Sequence, residues 1–141
     1  MRHFRGKTQA WRRVICHLDG RVSETSTANI AIARDGTILT PPPADGLVGV
    51  SLRCAERLEE SLSLAWQSRS LTEADLASAD EILLRTSPNC ILPGSRFSGR
   101  PVGAGRPSTI YQSLLAAWSR LVNLDIAAQA RDRAESSGGS A

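Results

Sequence analysis

Glu24-Thr25-Ser26-Thr27-Ala28-Asn29, continued by Ile30-Ala31-Ile32-Ala33-Arg34-Asp35-Gly36-Thr37-Ile38-Leu39-Thr40, is the stretch whose reading decides the fold. An acidic residue leads into small polar residues ending in asparagine, and the chain then turns apolar. A carboxylate therefore stands at the end of one strand, beside the start of the next. Such a place suits a site residue, because strands hold it rigid while the turn leaves it reachable. Taken alone, Glu24 is the ordinary solvated residue of a turn, so its neighbours have to decide. Arg34-Asp35-Gly36 supplies a glycine where a tight hairpin needs positive φ, which predicts antiparallel strands over Ile30 to Ala33 and Thr37 to Leu39. Upstream, Val14-Ile15-Cys16-His17-Leu18 reads as a mostly buried strand, closed by Asp19-Gly20 and resumed at Val22 to deliver Glu24. His17, alone among apolar neighbours, reads as structural.

Downstream, Thr40-Pro41-Pro42-Pro43 removes three ladder donors in a row and makes a rigid extended connector. The run Asp45-Gly46-Leu47-Val48-Gly49-Val50-Ser51 then opens an amphipathic helix. Leu52, Ala55, Leu58 and Leu62 fall on one face of it, with Arg53, Glu56, Arg57 and Glu60 opposite. Its first turn, with unpaired N–H groups, nearby glycines and the Ser51 hydroxyl, is a ready anion receptor. Leu64 to Ser70 predicts a short strand, and Thr72-Glu73-Ala74-Asp75 a capping box opening a helix through Ala79. Glu81-Ile82-Leu83-Leu84 is a buried strand running into Arg85-Thr86-Ser87-Pro88-Asn89, whose hydroxyls and turn chemistry again suit an anion. Cys90-Ile91-Leu92-Pro93 resumes the strand pattern. Arg96 to Gly105 reads as loop with Arg100-Pro101-Val102 extended. Pro107, at the favoured first helical position, begins a long helix with a core stripe of Ile110, Leu114, Trp118, Leu121 and Val122.

At 141 residues, 41% hydrophobic and 22% charged, the chain has the size and composition of one soluble globular domain. No apolar run approaches a membrane span, and the N-terminus has no secretory h-region, so a cytoplasmic location is expected. The net charge of +3 is carried by one end. Arg2, Arg5, Lys7, Arg12, Arg13 and Arg21 face only Asp19 within residues 1 to 21, with Phe4 and Trp11 between them. Such an arm can hold nucleic acid by phosphate contacts and stacking, but a solvated or frayed terminus is the commoner outcome. Cys16, Cys54 and Cys90 are widely spaced, and neither His3 nor His17 joins them at metal-ligand spacing, so neither a zinc site nor a disulfide framework is expected. Buried small hydrophobes are the reading for all three. Sixteen arginines accompany a single lysine, Lys7, so amine chemistry has one candidate.

Taken in order, Glu24 to Asn29, Thr40 to Pro42 and Gly49-Val50-Ser51 resemble the motif series of the class IV, or fold-type IV, pyridoxal-phosphate enzymes, which include branched-chain and D-amino-acid aminotransferases and aminodeoxychorismate lyase. The later Ser87 to Pro93 and Gly99-Arg100-Pro101-Val102-Gly103 look like that family's C-terminal end, and the likeness covers about residues 13 to 128. It implies an α/β fold with a mixed, strongly curved sheet (a pseudo-barrel) and outer helices. It also implies a pyridoxal 5'-phosphate cofactor, an amino acid or 2-oxo acid substrate, and a homodimer. Glu24 resembles the carboxylate that pairs with the cofactor's pyridine nitrogen and keeps it protonated. Val50 and Ser51 would hold the phosphate by backbone N–H and hydroxyl, Thr86 and Ser87 occupy the second phosphate-binding turn, and Thr27 and Asn29 take a supporting part. Ala31 stands where the family usually has an aromatic residue, which loosens the local packing.

The departure is covalent. These enzymes bind the cofactor through a lysine lying much farther before the motif glutamate than Lys7 lies before Glu24, so Lys7 does not match and no catalytic residue is assigned. Met1 to Arg5 resembles the segment that follows that lysine in some members. The expected organisation is therefore a basic N-terminal remnant (1–12), a class IV C-terminal domain (13–133) and a disordered tail (134–141), truncated before the lysine and inactive by itself. Whether the chemistry is transamination or elimination is left open by the residues. A non-catalytic, dimerising module of the same fold is the alternative, and a basic-arm nucleic-acid binder the weaker one.

Overall fold

The computed structural model describes residues 2–5, 11–87, 89–129 and 131–132. Its strands are β1 (Arg2–Arg5), β2 (Trp11–Cys16), β3 (Arg21–Thr25), β4 (Asn29–Arg34), β5 (Thr37–Thr40), β6 (Ala65–Ser68), β7 (Leu71–Thr72), β8 (Glu81–Thr86), β9 (Cys90–Gly94), β10 (Arg96–Phe97) and β11 (Arg100–Pro101). Three α-helices accompany them, α1 (Val50–Ser61), α2 (Glu73–Ala77) and α3 (Thr109–Val122).

The strands form a six-stranded sheet, in the order β11-β10-β1-β2-β3-β7, and a five-stranded one, β6-β5-β4-β8-β9. All pairings are antiparallel except β5 with β6. The expected α/β class with a mixed sheet is what the chain adopts, as two sheets with no closed barrel among the described residues. Side-chain alternation explains the layering. Ile30 and Ile32 of β4 and Ile82 and Leu84 of β8 meet Val14, Val22, Leu71 and Phe97 between the sheets. Their neighbours Ala31 and Leu83 face the other way, against Ala55 and Leu58 of α1 and Leu114 and Trp118 of α3. The central strands are thus covered on both faces, which is why Glu81 to Thr86 are buried throughout.

The hairpin forms where the glycine placed it, with Asp35 at φ 49° and Gly36 at φ 76°. The capping box at α2 also forms, Thr72 accepting from the Asp75 backbone N–H and Asp75 reaching back to that of Thr72. Asp75 further receives Arg69 Nη2 at 3.0 Å and Arg34 Nη1 at 3.2 Å, and the Arg69 contact holds its carboxyl well below the usual range. A carboxyl depressed in the fold contributes stability above its unfolded value, and that contribution is lost as pH falls through the folded one. Asp75→Asn is therefore expected to lower unfolding free energy by about 1–2 kcal/mol at neutral pH. In urea titrations across acid pH the gap to the unaltered protein should close, and a gap of constant size would reject the assignment.

Several expectations are corrected. Residues 2–5, read as part of a solvated or frayed basic terminus, form β1 between β2 and β10, with Phe4 opposite Phe97. Residues 14–18 are not a mostly buried strand: Val14 is buried, but Ile15 is 42% exposed and Leu18 lies in the turn. One face of this outer sheet covers core, and the register shifts between Ile15 and Cys16. Cys16 is accordingly exposed, and Cys54 and Cys90 only half-buried, against the expectation for all three. α1 starts at Val50 with Gly49 as its cap, and α2 stops at Ala77. Pro107 precedes the first helical position of α3, where Ser108 is the N-cap and accepts from Ile110 N–H at 3.1 Å. Of the predicted α3 stripe, Leu114 and Trp118 are core, while Leu121 is 61% exposed and Val122 is also exposed. Within the expected loop at 96–105, β11 takes up part of the stretch read as extended, whereas β10 at Arg96–Phe97 was not expected. Lys7 and the tail 134–141 lie outside the described residues.

Candidate functional site

The polar run after Glu24 is a closed turn. Thr25 donates its N–H to Ala28 O at 2.8 Å and its Oγ1 to the same oxygen at 3.0 Å, so one buried threonine satisfies both ends of the reversal. Ser26 N–H bonds Arg13 O at 3.2 Å, and Arg12 donates to the Thr27 hydroxyl, which fixes the turn to β2. Glu24, on β3, is thereby held half-buried beside Asn29, the first residue of β4. Asn29 Nδ2 lies 3.5 Å from Glu24 Oε2 and donates to Leu47 O at 2.6 Å. Asn29 thus ties the carboxylate to the segment arriving from the proline connector.

That segment ends at Gly49, the cap of α1, which makes no side-chain cap. The free N–H groups of the first turn are left pointing outward, as at any helix start. Gly49 is favoured by contact rather than by φ: a Cβ there would stand 2.7 Å from Asn29 Oδ1 and push that side chain aside. Ser51 is buried, and its Oγ donates to Ser87 Oγ at 3.3 Å, across from the end of β8. Thr86 beside it is buried and Ser87 exposed.

These pieces line one open cleft of about 240 Å³, bounded by Glu24, the 25–29 turn, Leu47, Gly49, Ser51 and residues 85–87. Six residues singled out from sequence, Glu24, Thr27, Asn29, Ser51, Thr86 and Ser87, meet here. Val50 does not line the cleft: it is 83% exposed and borders a groove between α1 and α3. Sequence reasoning missed the Leu47 carbonyl, which no side-chain pattern announces, and a buried pair. Arg85, read as part of an anion-binding turn, belongs to β8 and donates to Glu59 on α1. Each charge was visible by itself, Arg85 after the apolar run of β8 and Glu59 beside Leu58 on α1, but nothing in the pattern paired them.

The cleft offers a carboxylate at one end, and at the other a helix start flanked by two hydroxyls. That donor set suits an elongated ligand with an anionic group at one end and a protonated nitrogen at the other.

A model of the amino-transferase class IV family matches residues 2–97. The chain is 29% identical over 105 residues to the branched-chain-amino-acid aminotransferase of Pseudomonas aeruginosa, covering 74% of this chain and 34% of that protein. To the D-alanine aminotransferase of Bacillus licheniformis it is 24% identical over 100 residues, covering 70% of this chain and 35% of that one. Among solved structures, a branched-chain aminotransferase from the thermophilic archaeon Thermoproteus uzoniensis, with norvaline, superposes with a TM-score of 0.74 at 28% identity, covering 79% of this chain and 37% of that one. The chain spans about a third of the length of these relatives. No helix among the described residues is long and apolar enough to cross a membrane. With the family model running from β1 to β10, and so through every strand that borders the cleft, the chain belongs to the class IV aminotransferases.

Proposed function

We propose that the cleft holds pyridoxal 5'-phosphate and that the chain is the cofactor-binding part of an enzyme acting on an amino acid and a 2-oxo acid. The observation that carries this is the meeting of Glu24, Ser51 and Ser87, from three distant segments, around one cavity of about 240 Å³. When bound, the cofactor supplies an electron sink for the bond broken at the substrate's α-carbon. The N–H groups of Val50 and Ser51, with the hydroxyls of Ser51, Thr86 and Ser87, receive the phosphate. Glu24 holds a proton on the ring nitrogen, and Asn29 holds Glu24 in place. Lys7 does not serve as the covalent anchor, and this chain by itself is not expected to turn over substrate. Choice between transamination and elimination, the identity of the substrate, the homodimer and the cytoplasmic setting all belong to this proposal. A dimerising module without catalysis is the second reading, favoured by exposed Val48, Val50 and Leu121 along the α1–α3 groove.

Titration with pyridoxal 5'-phosphate, followed by borohydride reduction and peptide mapping, tests the proposal. Reversible binding should be weakened roughly tenfold by Ser51→Ala, the loss of about 1.4 kcal/mol expected for a charge-assisted hydrogen bond. Gly49→Ala should weaken it too, by pushing Asn29 off Leu47 O. No binding, or binding indifferent to both changes, would sink the reading, and stoichiometric labelling of Lys7 with turnover would overturn its assignment. Sedimentation that finds dimers without cofactor binding would favour the second reading.

A further inference from the structure

Alternation along β8 sends Leu83 and Arg85 to the helix side of the sheet. Arg85 is 1% exposed and Glu59 of α1 0%. Arg85 donates through Nη2 to Glu59 Oε1 and through Nη1 to Thr40 Oγ1 at 3.4 Å. One side chain of β8 therefore grips both α1 and the last residue of β5. Each of the three segments leads to the cleft. α1 begins with Ser51, β8 runs out into Ser87, and β5 continues through the prolines to Leu47, whose carbonyl holds Asn29.

As a device for stability the arrangement is poor. Desolvating two charges consumes about as much as their attraction returns, and well-packed apolar residues of similar volume usually serve as well or better. Glu59 Oε2 and Arg85 Nε have no protein hydrogen-bond partner, which lowers the return further. Adhesion of α1 to β8 is already supplied by Ala55 and Leu58 against Leu83. Apolar surfaces tolerate sliding and rolling, whereas a hydrogen-bonded charge pair specifies one placement of atoms. Glu59 lies about 12 Å along the helix from Ser51. The helix start has no side-chain cap of its own, so its position is set from farther down the rod.

We infer that the Glu59–Arg85–Thr40 contact is a positioning device that fixes the start of α1 over the end of β8 and so sets the Ser51–Ser87 spacing for a phosphate group. The phosphate part rests on the reading of the cleft proposed above; the placement of α1 does not. Glu59 and Thr40 do not line the cleft, and Arg85, which borders it, spends its guanidinium on those two residues, so the contact acts through Ser51 and Ser87, whose hydroxyl oxygens stand 3.3 Å apart.

The test uses the full chain, a Glu59→Met/Arg85→Met double variant and Glu59→Gln, which keeps an acceptor for Arg85 Nη2. Thermal midpoint, amide exchange at residues 50–52 and titration with pyridoxal 5'-phosphate are measured on each. In the double variant the midpoint should hold or rise, while exchange quickens and cofactor affinity drops, each roughly tenfold, equivalent to about 1.4 kcal/mol. Glu59→Gln should leave both near the unaltered protein. Native exchange and native affinity in the double variant would overturn the inference, and so would loss of folding, which would make the pair a stability element. If the unaltered protein takes up no cofactor, the reading of the cleft falls, and exchange at residues 50–52 alone decides: quickened supports the device, unchanged rejects it.

Discussion

Gly103→Ala is expected to cost about 3–5 kcal/mol of folding free energy, at the severe end for a single methyl group. A Cβ at Gly103 would stand 1.9 Å from Asp80 O and 2.8 Å from its carbonyl carbon, at a φ of +51°. Both are backbone atoms, so no side-chain rotation relieves the collision. Asp80 cannot retreat freely either, because its N–H bonds Ala33 O at 2.9 Å and its Oδ2 accepts from Asp35 N–H at 2.8 Å. Moving it would disturb the entry of β8 and the hairpin it pairs with, at the end of the sheet away from the cleft. Gly99→Ala is the control, since Gly99 has φ +80° with nothing within 4 Å of a Cβ. It should cost only about 1 kcal/mol, the strain of the left-handed conformation. Urea unfolding of the two variants side by side decides, and similar losses would refute the collision.

Arg85→Leu is the second large effect, at about 3–5 kcal/mol, because it strands the Glu59 carboxylate in a dry interior. Its pH dependence identifies the cause. Burial pushes the Glu59 carboxyl up even with the Arg85 guanidinium beside it, and removing that cation pushes it further. A carboxyl raised in the fold contributes stability that is complete below its unfolded value and disappears as pH climbs through the folded one. The variant should thus suffer least in acid and lose ground steadily as pH rises above the ordinary glutamate range. Adding Glu59→Gln should flatten that slope. A deficit independent of pH would point to lost packing of the arginine stem instead.

What the sequence made legible was whatever short-range physics dictates. Asp35-Gly36 specifies a hairpin wherever it sits, Thr72 and Asp75 cap their own helix, and Leu52, Ala55 and Leu58 define the buried face of α1 without reference to its partner. The cleft was legible for a different reason: Glu24, Asn29, Ser51 and Ser87 recur in a fixed order, and the fold brings that order to one place. The Glu59–Arg85 pair was not legible, because the meeting depends on which face of β8 the helix crosses. The β1 and β10 side of the outer sheet was hidden for a like reason. β10 and β11 are two residues each, too short to show alternation, and β10 is held in the sheet because β1 arrives from far away to pair with it. Leu121 and Val122 continue a helical stripe correctly and are still exposed, because periodicity marks a face of the helix and not how far along it the core reaches.

The position of β1 between β2 and β10 has a kinetic consequence. Its pairing with β2 is local, but Phe4 opposite Phe97 joins residues far apart along the chain. Closing so long a loop is repaid by only a two-residue partner, so the entropy is spent before contacts reward it. Refolding should therefore proceed in order: the β4–β5–β8–β9 sheet with its helices first, and the outer sheet completed last by docking of β10. Strand β1 would then be the region where the native molecule most readily opens, with amides exchanging by local release while those of β8 wait for global unfolding.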